Sequence, residues 1–97
     1  MKPALREQIL TILAEIPPGR VTTYGRIAAM TDGATPRLVA RALRELPAGH
    51  GLPWFRVITA SRKLADHAGA EEQRRRLVAE GVLFDPRGRV AKDRLWP

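Results

Sequence analysis

A chain of 97 residues and 10.8 kDa, 44% hydrophobic and 28% charged, suits one modest core and is too short for a dinucleotide-binding or barrel fold. It has no cysteine, which excludes disulfides, thiolate metal sites and a cysteine nucleophile. Its 17 basic and 10 acidic residues give a formal +7, 14 of the 17 being Arg, and residues 17–62 carry Arg20, Arg26, Arg37, Arg41, Arg44, Arg56 and Arg62 against Asp32 and Glu45 alone.

In chain order, Leu5, Ile9, Ile12, Leu13 and Ile16 recur at helical spacing and predict a first helix, which Pro17-Pro18-Gly19 ends. Val21-Thr22 reads as a short extended piece. Thr23 is the expected N-cap of a helix from Tyr24 to about Met30, with Ile27 and Ala28 inward. Asp32-Gly33-Ala34 is a turn. Thr35-Pro36 then pairs a capping hydroxyl with proline at the first helical position. The helix it opens is predicted over 36–46, with Val39, Ala42, Leu43 and Leu46 inward and Arg37, Arg41 and Arg44 forming an outward basic stripe. Two short helices and a tight turn predict a helix-turn-helix whose second helix does the recognition.

The run Pro53-Trp54-Phe55-Arg56-Val57-Ile58 is predicted as extended, Ser61-Arg62-Lys63 as a turn and Leu64-Ala65 as a brief strand. A third major helix is predicted over 71–80, with acids in its first turn and Gly81 just past its end. Val82–Phe84 and Arg89–Ala91 around Asp85-Pro86-Arg87-Gly88 predict a β-hairpin. The expected fold is mainly α with a small β wing, a winged helix-turn-helix DNA-binding domain spanning 1–97.

Enzyme signatures are scarce. There is no phosphate-binding glycine loop, no paired carboxylate motif and no cluster with metal-ligand spacing, so neither metal nor cofactor is expected. His50 and His67 stand alone, and a lone histidine is more often solvated than catalytic. Arg74-Arg75-Arg76 reads as a solvated helix face balanced by Glu71, Glu72 and Glu80. The stripe Arg37/Arg41/Arg44 favours phosphate contact, because three cations on one face repel without interleaved acids. An Arg-rich codon bias is the competing explanation. Tyr24 is equally readable as core or as a stacking ring. Trp54-Phe55 reads first as core, and second as a wall for an extruded base.

The ordered motifs add more. Ile16 to Ala28 resembles the "IPxGxVxTYGxIA" segment of the O6-alkylguanine-DNA alkyltransferase family, Pro53-Trp54-Phe55-Arg56-Val57-Ile58 resembles its "PCHRVI" run, and Glu80-Gly81 its later "EG". Trp54 replaces the alkyl-accepting cysteine and Phe55 the adjacent histidine, the pattern of the alkyltransferase-like members. That resemblance implies a non-enzymatic protein with no catalytic residue, which binds O6-alkylguanine in duplex DNA through the minor groove and passes it to nucleotide-excision repair proteins.

Residue by residue, the resemblance implies that Tyr24 rotates the target nucleotide's phosphate and that Arg37, opening Arg37-Leu38-Val39-Ala40, fills the vacated stack. The family has Gly where Ala40 stands, and its Tyr-to-Arg spacing is slightly longer. Trp54, Phe55 and Arg56 are the expected base pocket, with Arg56 in a structural role. Thr23, Arg41 and Arg44 are the expected DNA-backbone contacts, His67 a contact from the divergent 65–69 loop, and Glu80 a partner able to orient a base placed at 55. A cytoplasmic monomer with no membrane association is expected. The alternative reading is a winged-helix regulator that reads sequence in the major groove.

Overall fold

The computed structural model describes residues 1–97. The first helix, α1 (Pro3–Glu15), buries Ile9 and Leu13, and the chain leaves it through Gly19 at φ +80°, a conformation that glycine adopts without strain. Strand β1 (Thr22–Thr23) runs directly into α2 (Tyr24–Ala29), whose N-cap is Thr23: its hydroxyl accepts the Arg26 N–H at 3.1 Å. Helix α3 (Pro36–Arg44) begins as predicted, with Pro36 in the first turn and the Thr35 hydroxyl accepting the Leu38 N–H at 3.2 Å. Between the two helices, Thr31 Oγ1 donates to the Ala28 carbonyl and accepts from Ala34 N, while Gln8 of α1 exchanges two hydrogen bonds with Asp32. The α2–turn–α3 unit is thereby pinned to α1.

Residues 53–58 depart from the expected extended run. Trp54–Arg56 form a 3₁₀ turn, and only Val57–Ile58 continue as strand β2, parallel to β1 with Thr22 opposite Val57 and Thr23 opposite Ile58. The turn is tight because Arg56 N donates to the Pro53 carbonyl at 3.0 Å, which swings Phe55 inward and leaves Trp54 at the surface. Leu64-Ala65 is irregular, not a strand. The predicted hairpin is reduced to a turn at 85–88 closed by one antiparallel bridge, Phe84 to Val90. Asp85 Oδ1 accepts the N–H groups of Arg87 and Arg89, and Pro86 has no N–H, so these donors build a turn and no ladder. Residues 94–96 add a contact that sequence patterning did not anticipate. Val21 N donates to the Arg94 carbonyl and Val21 O accepts from Trp96 N, at 2.9 and 2.8 Å.

The last major helix is α4 (Ala70–Ala79), one residue earlier than expected, with Gly81 at φ +85° beyond it. No helix is long and apolar enough to cross a membrane. Two apolar clusters form the interior. Ile9, Leu13, Ile16, Ile27, Ala28, Val39, Ala42 and Val57 unite the first three helices, while Val21, Phe55, Ile58, Leu77, Val82 and Val90 fill the space under α4. Consecutive residues Val57 and Ile58 enter opposite clusters, as the period of two along a strand requires.

One polar junction links these parts. Arg56 Nε lies 3.0 and 3.2 Å from the two Glu80 carboxylate oxygens, Nη2 pairs with Oε2, and Nη1 donates to the Ile16 carbonyl at 2.8 Å. Glu80 Oε1 also accepts the Gly19 N–H at 3.0 Å. The side chains are only 13% and 17% exposed. Burial pushes the Glu80 carboxyl up, but the Arg56 fork, the Gly19 N–H and the Arg56 charge outweigh it and hold the group below the usual carboxylate range.

Because the folded pKa is depressed, the ionised pair stabilises the fold at pH values above the ordinary carboxyl range and loses that contribution as pH falls through the lower folded value. Removing the charge from Glu80 strands Arg56 in a mostly buried position. Glu80→Gln is therefore expected to cost about 3 kcal/mol at neutral pH and to flatten the acid limb of stability against pH. Denaturant unfolding measured from neutral to acid pH checks both; an unchanged acid limb would show that the pair contributes nothing.

Candidate nucleic-acid interface

The α3 helix places its apolar side on the core and its three arginines in solvent, as its spacing predicts, but the stripe is not uniform. Arg41 Nε lies 3.4 Å from Glu45 Oε2, one helical turn on, and both side chains are about half exposed (51% and 50%). The expectation of a stripe without interleaved acids is corrected here: Glu45 reaches back over i, i+4. Arg37, near the start of the helix, and Arg44, in its last turn, form no ion pair.

Behind α3 lies a cleft of ≈ 560 Å³. Tyr24 enters it from α2, Leu43 and Arg44 from α3, Trp54 from the 3₁₀ turn, and His67 and Gly69 from the loop before α4. Tyr24 reaches this position because the Thr23 cap ends β1 and starts α2 within one residue, so the ring projects from a fixed corner. The Trp54 ring makes T-shaped contacts with Phe55, at 6.0 Å between centroids, and with His67, at 6.2 Å, and it lines the cleft.

The structure brings Tyr24, Arg44 and Trp54 together at this cleft. Phe55 and Arg56, expected beside Trp54 in the base pocket, do not line it. Phe55 is a core residue of the α4 cluster, with the guanidinium carbons of Arg56 and Arg76 at 5.1 and 5.3 Å from its ring centre. Arg56 is consumed by Glu80 and Ile16. Both line a neighbouring hollow that shares His50 and Trp54 with the cleft. Thr23 is buried and serves as the helix cap.

Three further expectations are revised. Glu80 does not balance the Arg74–Arg76 run; Glu72 does so, pairing with Arg75 and Arg76, while Arg74 lies over the Phe84 ring at 4.4 Å. Nor is Glu80 free to orient a base at position 55, since Arg56 and Gly19 occupy its oxygens. His50, read as a lone surface histidine, lines the cleft, with its Nδ1 accepting the Leu52 N–H at 2.8 Å. Leu46, expected inward, lines it too, as do Gln73 and Asp66, for which the sequence suggests no role. A fully polar residue on the apolar face of α4 is the signal that could have drawn attention to Gln73. No group of three His, Cys, Asp or Glu residues is placed to hold a metal.

Tyr24 is half-buried, and that burial raises its phenol above the usual range, while the Arg44 charge works the other way. The chain has one tyrosine, so its ultraviolet titration reads this residue alone. Arg44→Gln is expected to raise the Tyr24 pKa further, because it removes the opposing charge and leaves the burial. A downward movement would mean that Arg44 does not act on the ring.

Comparison with known proteins bears on what this face belongs to. Residues 4–82 match the family model described as 6-O-methylguanine DNA methyltransferase, DNA binding domain. The DNA base-flipping protein of Vibrio parahaemolyticus serotype O3:K6 (strain AQ3810) is 40% identical over 86 residues, covering 87% of this chain and 86% of that one. Alkyltransferase-like protein 1 of Schizosaccharomyces pombe (strain 972 / ATCC 24843) is 34% identical over 79 residues, covering 77% and 73%. The crystal structure of S. pombe Atl1 in complex with damaged DNA containing O6-carboxymethylguanine superposes with a TM-score of 0.85 at 27% identity, over 100% of this chain and 98% of that one. The mainly helical architecture, the short parallel sheet and the matched 4–82 span agree, and the chain belongs to the family of the 6-O-methylguanine DNA methyltransferase DNA-binding domain.

Proposed function

We propose that this chain is a non-enzymatic sensor of alkylated guanine, which binds duplex DNA from the minor groove and extrudes an O6-alkylguanine into the cleft beside Trp54. The observation that carries this reading is the Trp54 indole itself. It stands where the resemblance puts the alkyl acceptor, it lines the cleft opposite Tyr24, and a chain without cysteine has no thiol to take an alkyl group. The relative named DNA base-flipping protein and the Atl1 complex with damaged DNA support the same reading.

In this reading Tyr24 turns the target phosphate, and the unpaired Arg37 enters the stack that the base leaves. Arg41 and Arg44 hold the DNA backbone, and the buried Thr23 cap fixes the corner that carries Tyr24. Arg44, at the cleft and free of an acidic partner, is the stronger phosphate ligand, whereas Arg41 must leave Glu45 to reach one. The rotated base stacks on Trp54, whose indole gives apolar area and no nucleophile. The protein acts as a cytoplasmic monomer, one domain over 1–97, and nucleotide-excision repair proteins receive the marked lesion.

The test is paired affinity at stated salt for a duplex with and without one O6-methylguanine, followed by mass spectrometry of the protein. Tighter binding to the modified duplex and an unchanged protein mass are expected; equal affinities would favour a sequence-reading regulator. Trp54→Ala is expected to lose about 1–3 kcal/mol of lesion affinity, a typical base-stacking loss, with less effect on unmodified DNA. Trp54→Cys is expected to give little or no alkyl transfer, since Phe55 supplies no base to form the thiolate.

The arginines separate by salt dependence. Arg44→Ala should weaken binding to both duplexes and flatten the salt slope by about one unit. Arg37→Ala should weaken lesion binding chiefly, because a side chain in the stack stabilises only the extruded state. Matching profiles for the two variants would sink the assignment of Arg37.

A further inference from the structure

Gln73 is a polar side chain only 2% exposed, on the side of α4 that packs under the Trp54 turn. Its Nε2 donates to the carbonyls of Phe55 and Val57, at 3.2 and 2.8 Å, and its Oε1 lies 2.9 Å from His67 Nε2. His67 Nδ1 in turn accepts the Gly69 N–H at 3.0 Å. The directions are forced. A carbonyl only accepts, so the Gln73 amide nitrogen faces the turn and its oxygen faces His67. A backbone N–H only donates, so Nδ1 is the bare ring nitrogen and Nε2 carries the hydrogen. Donation therefore runs one way, from Gly69 through His67 and Gln73 to the two carbonyls that flank Arg56.

Gly69 makes room for this arrangement. A Cβ there would stand 3.0 Å from His67 Cε1 and 3.5 Å from Trp54 Cη2. With both nitrogens engaged, the imidazole lines the cleft and packs T-shaped against the indole.

The geometry points to Gln73 and His67 as positioning residues that hold the Trp54 turn against the cleft, with His67 acting only as its neutral Nε2–H tautomer. This inference rests on the reading of the cleft as the base site. A second proton on the ring would sit on Nδ1, donor against donor with the Gly69 N–H, and would turn the ring out.

The DNA-free protein gives the first test. ¹H–¹⁵N correlation of the imidazole nitrogens at about pH 8, where an ordinary imidazole is neutral, is expected to show the Nε2–H tautomer for His67. The Trp54 indole resonance, assigned with Trp96→Phe, is expected to shift in both His67→Leu and Gln73→Glu, since a carboxylate cannot donate to the two carbonyls. The ratio of affinities for O6-methylguanine and unmodified duplexes is expected to fall about tenfold in His67→Leu. His67→Gln, whose amide can still donate to Gln73 Oε1, should restore the ratio. His67 is exposed, so its variants do not tax the core. An Nδ1–H tautomer, or an indole resonance unmoved in both variants, would overturn the clamp. Equal affinities of the wild-type protein for the two duplexes would overturn the base-recognition reading instead, while the tautomer and the indole resonance still decide the clamp.

Discussion

The pairing of Arg56 with Glu80 joins three stretches that share no local contact. Arg56 belongs to the Trp54 turn, Glu80 ends α4, and the two also hold the Ile16 carbonyl and the Gly19 N–H at the exit of α1. The partners are 24 residues apart, and the second hydrogen bond of Glu80 reaches back 61 residues. An ion pair so little exposed repays its desolvation through geometry: the guanidinium fork grips two oxygens, and backbone groups take up the remaining capacity. With this junction in place the turn cannot rotate, so Trp54 faces the cleft while Phe55 is driven into the core. Arg94 reinforces the same corner by donating to the carbonyls of Gly19 and Gly81.

Rigid support on one side and free charge on the other divide the labour of the surface. The side chains that brace the Trp54 turn, Phe55, Arg56, Gln73 and Glu80, are buried or half-buried. Arg37 and Arg44 are exposed and unpaired, and Arg41 is exposed and only loosely paired. Buried polar groups set geometry because an unmet partner is costly, while exposed guanidinium groups contribute long-range attraction at little structural cost. The cleft lies between these two sets.

Local chemistry in the sequence anticipated the helices well. Thr23 and Thr35 cap as their hydroxyls predict, Pro36 opens α3, and Gly19 and Gly81 take the positive φ that their places after helices call for. The motifs single out Trp54 and Tyr24, and the structure brings both to one cleft. What local reasoning missed depends on partners distant in sequence. A run of Trp, Phe, Val and Ile looks extended by propensity, yet the pull of Glu80 on Arg56 and of the core on Phe55 coils its first half. The 82–91 segment has strand-like residues, but Asp85 captures the N–H groups that a ladder would need. Glu80 looks like an ordinary helix surface residue until the turn it holds is known, and Gln73 differs from one only in sharing the apolar face of Leu77.

The pairing of residues 94–96 with Val21 gives the short sheet a different character from a two-stranded ribbon. β2 occupies one side of β1, and the later segment pairs with Val21 just before β1 through an isolated parallel bridge to Leu95. The strands are only two residues long, too short for their free edges to template aggregation. The arrangement also orders assembly. Helices α1 to α3 can form from near contacts, whereas the corner from which Tyr24 projects is closed only when residues some 35 and some 75 positions downstream return to it, and loop closure of that span is a late, slow event in folding.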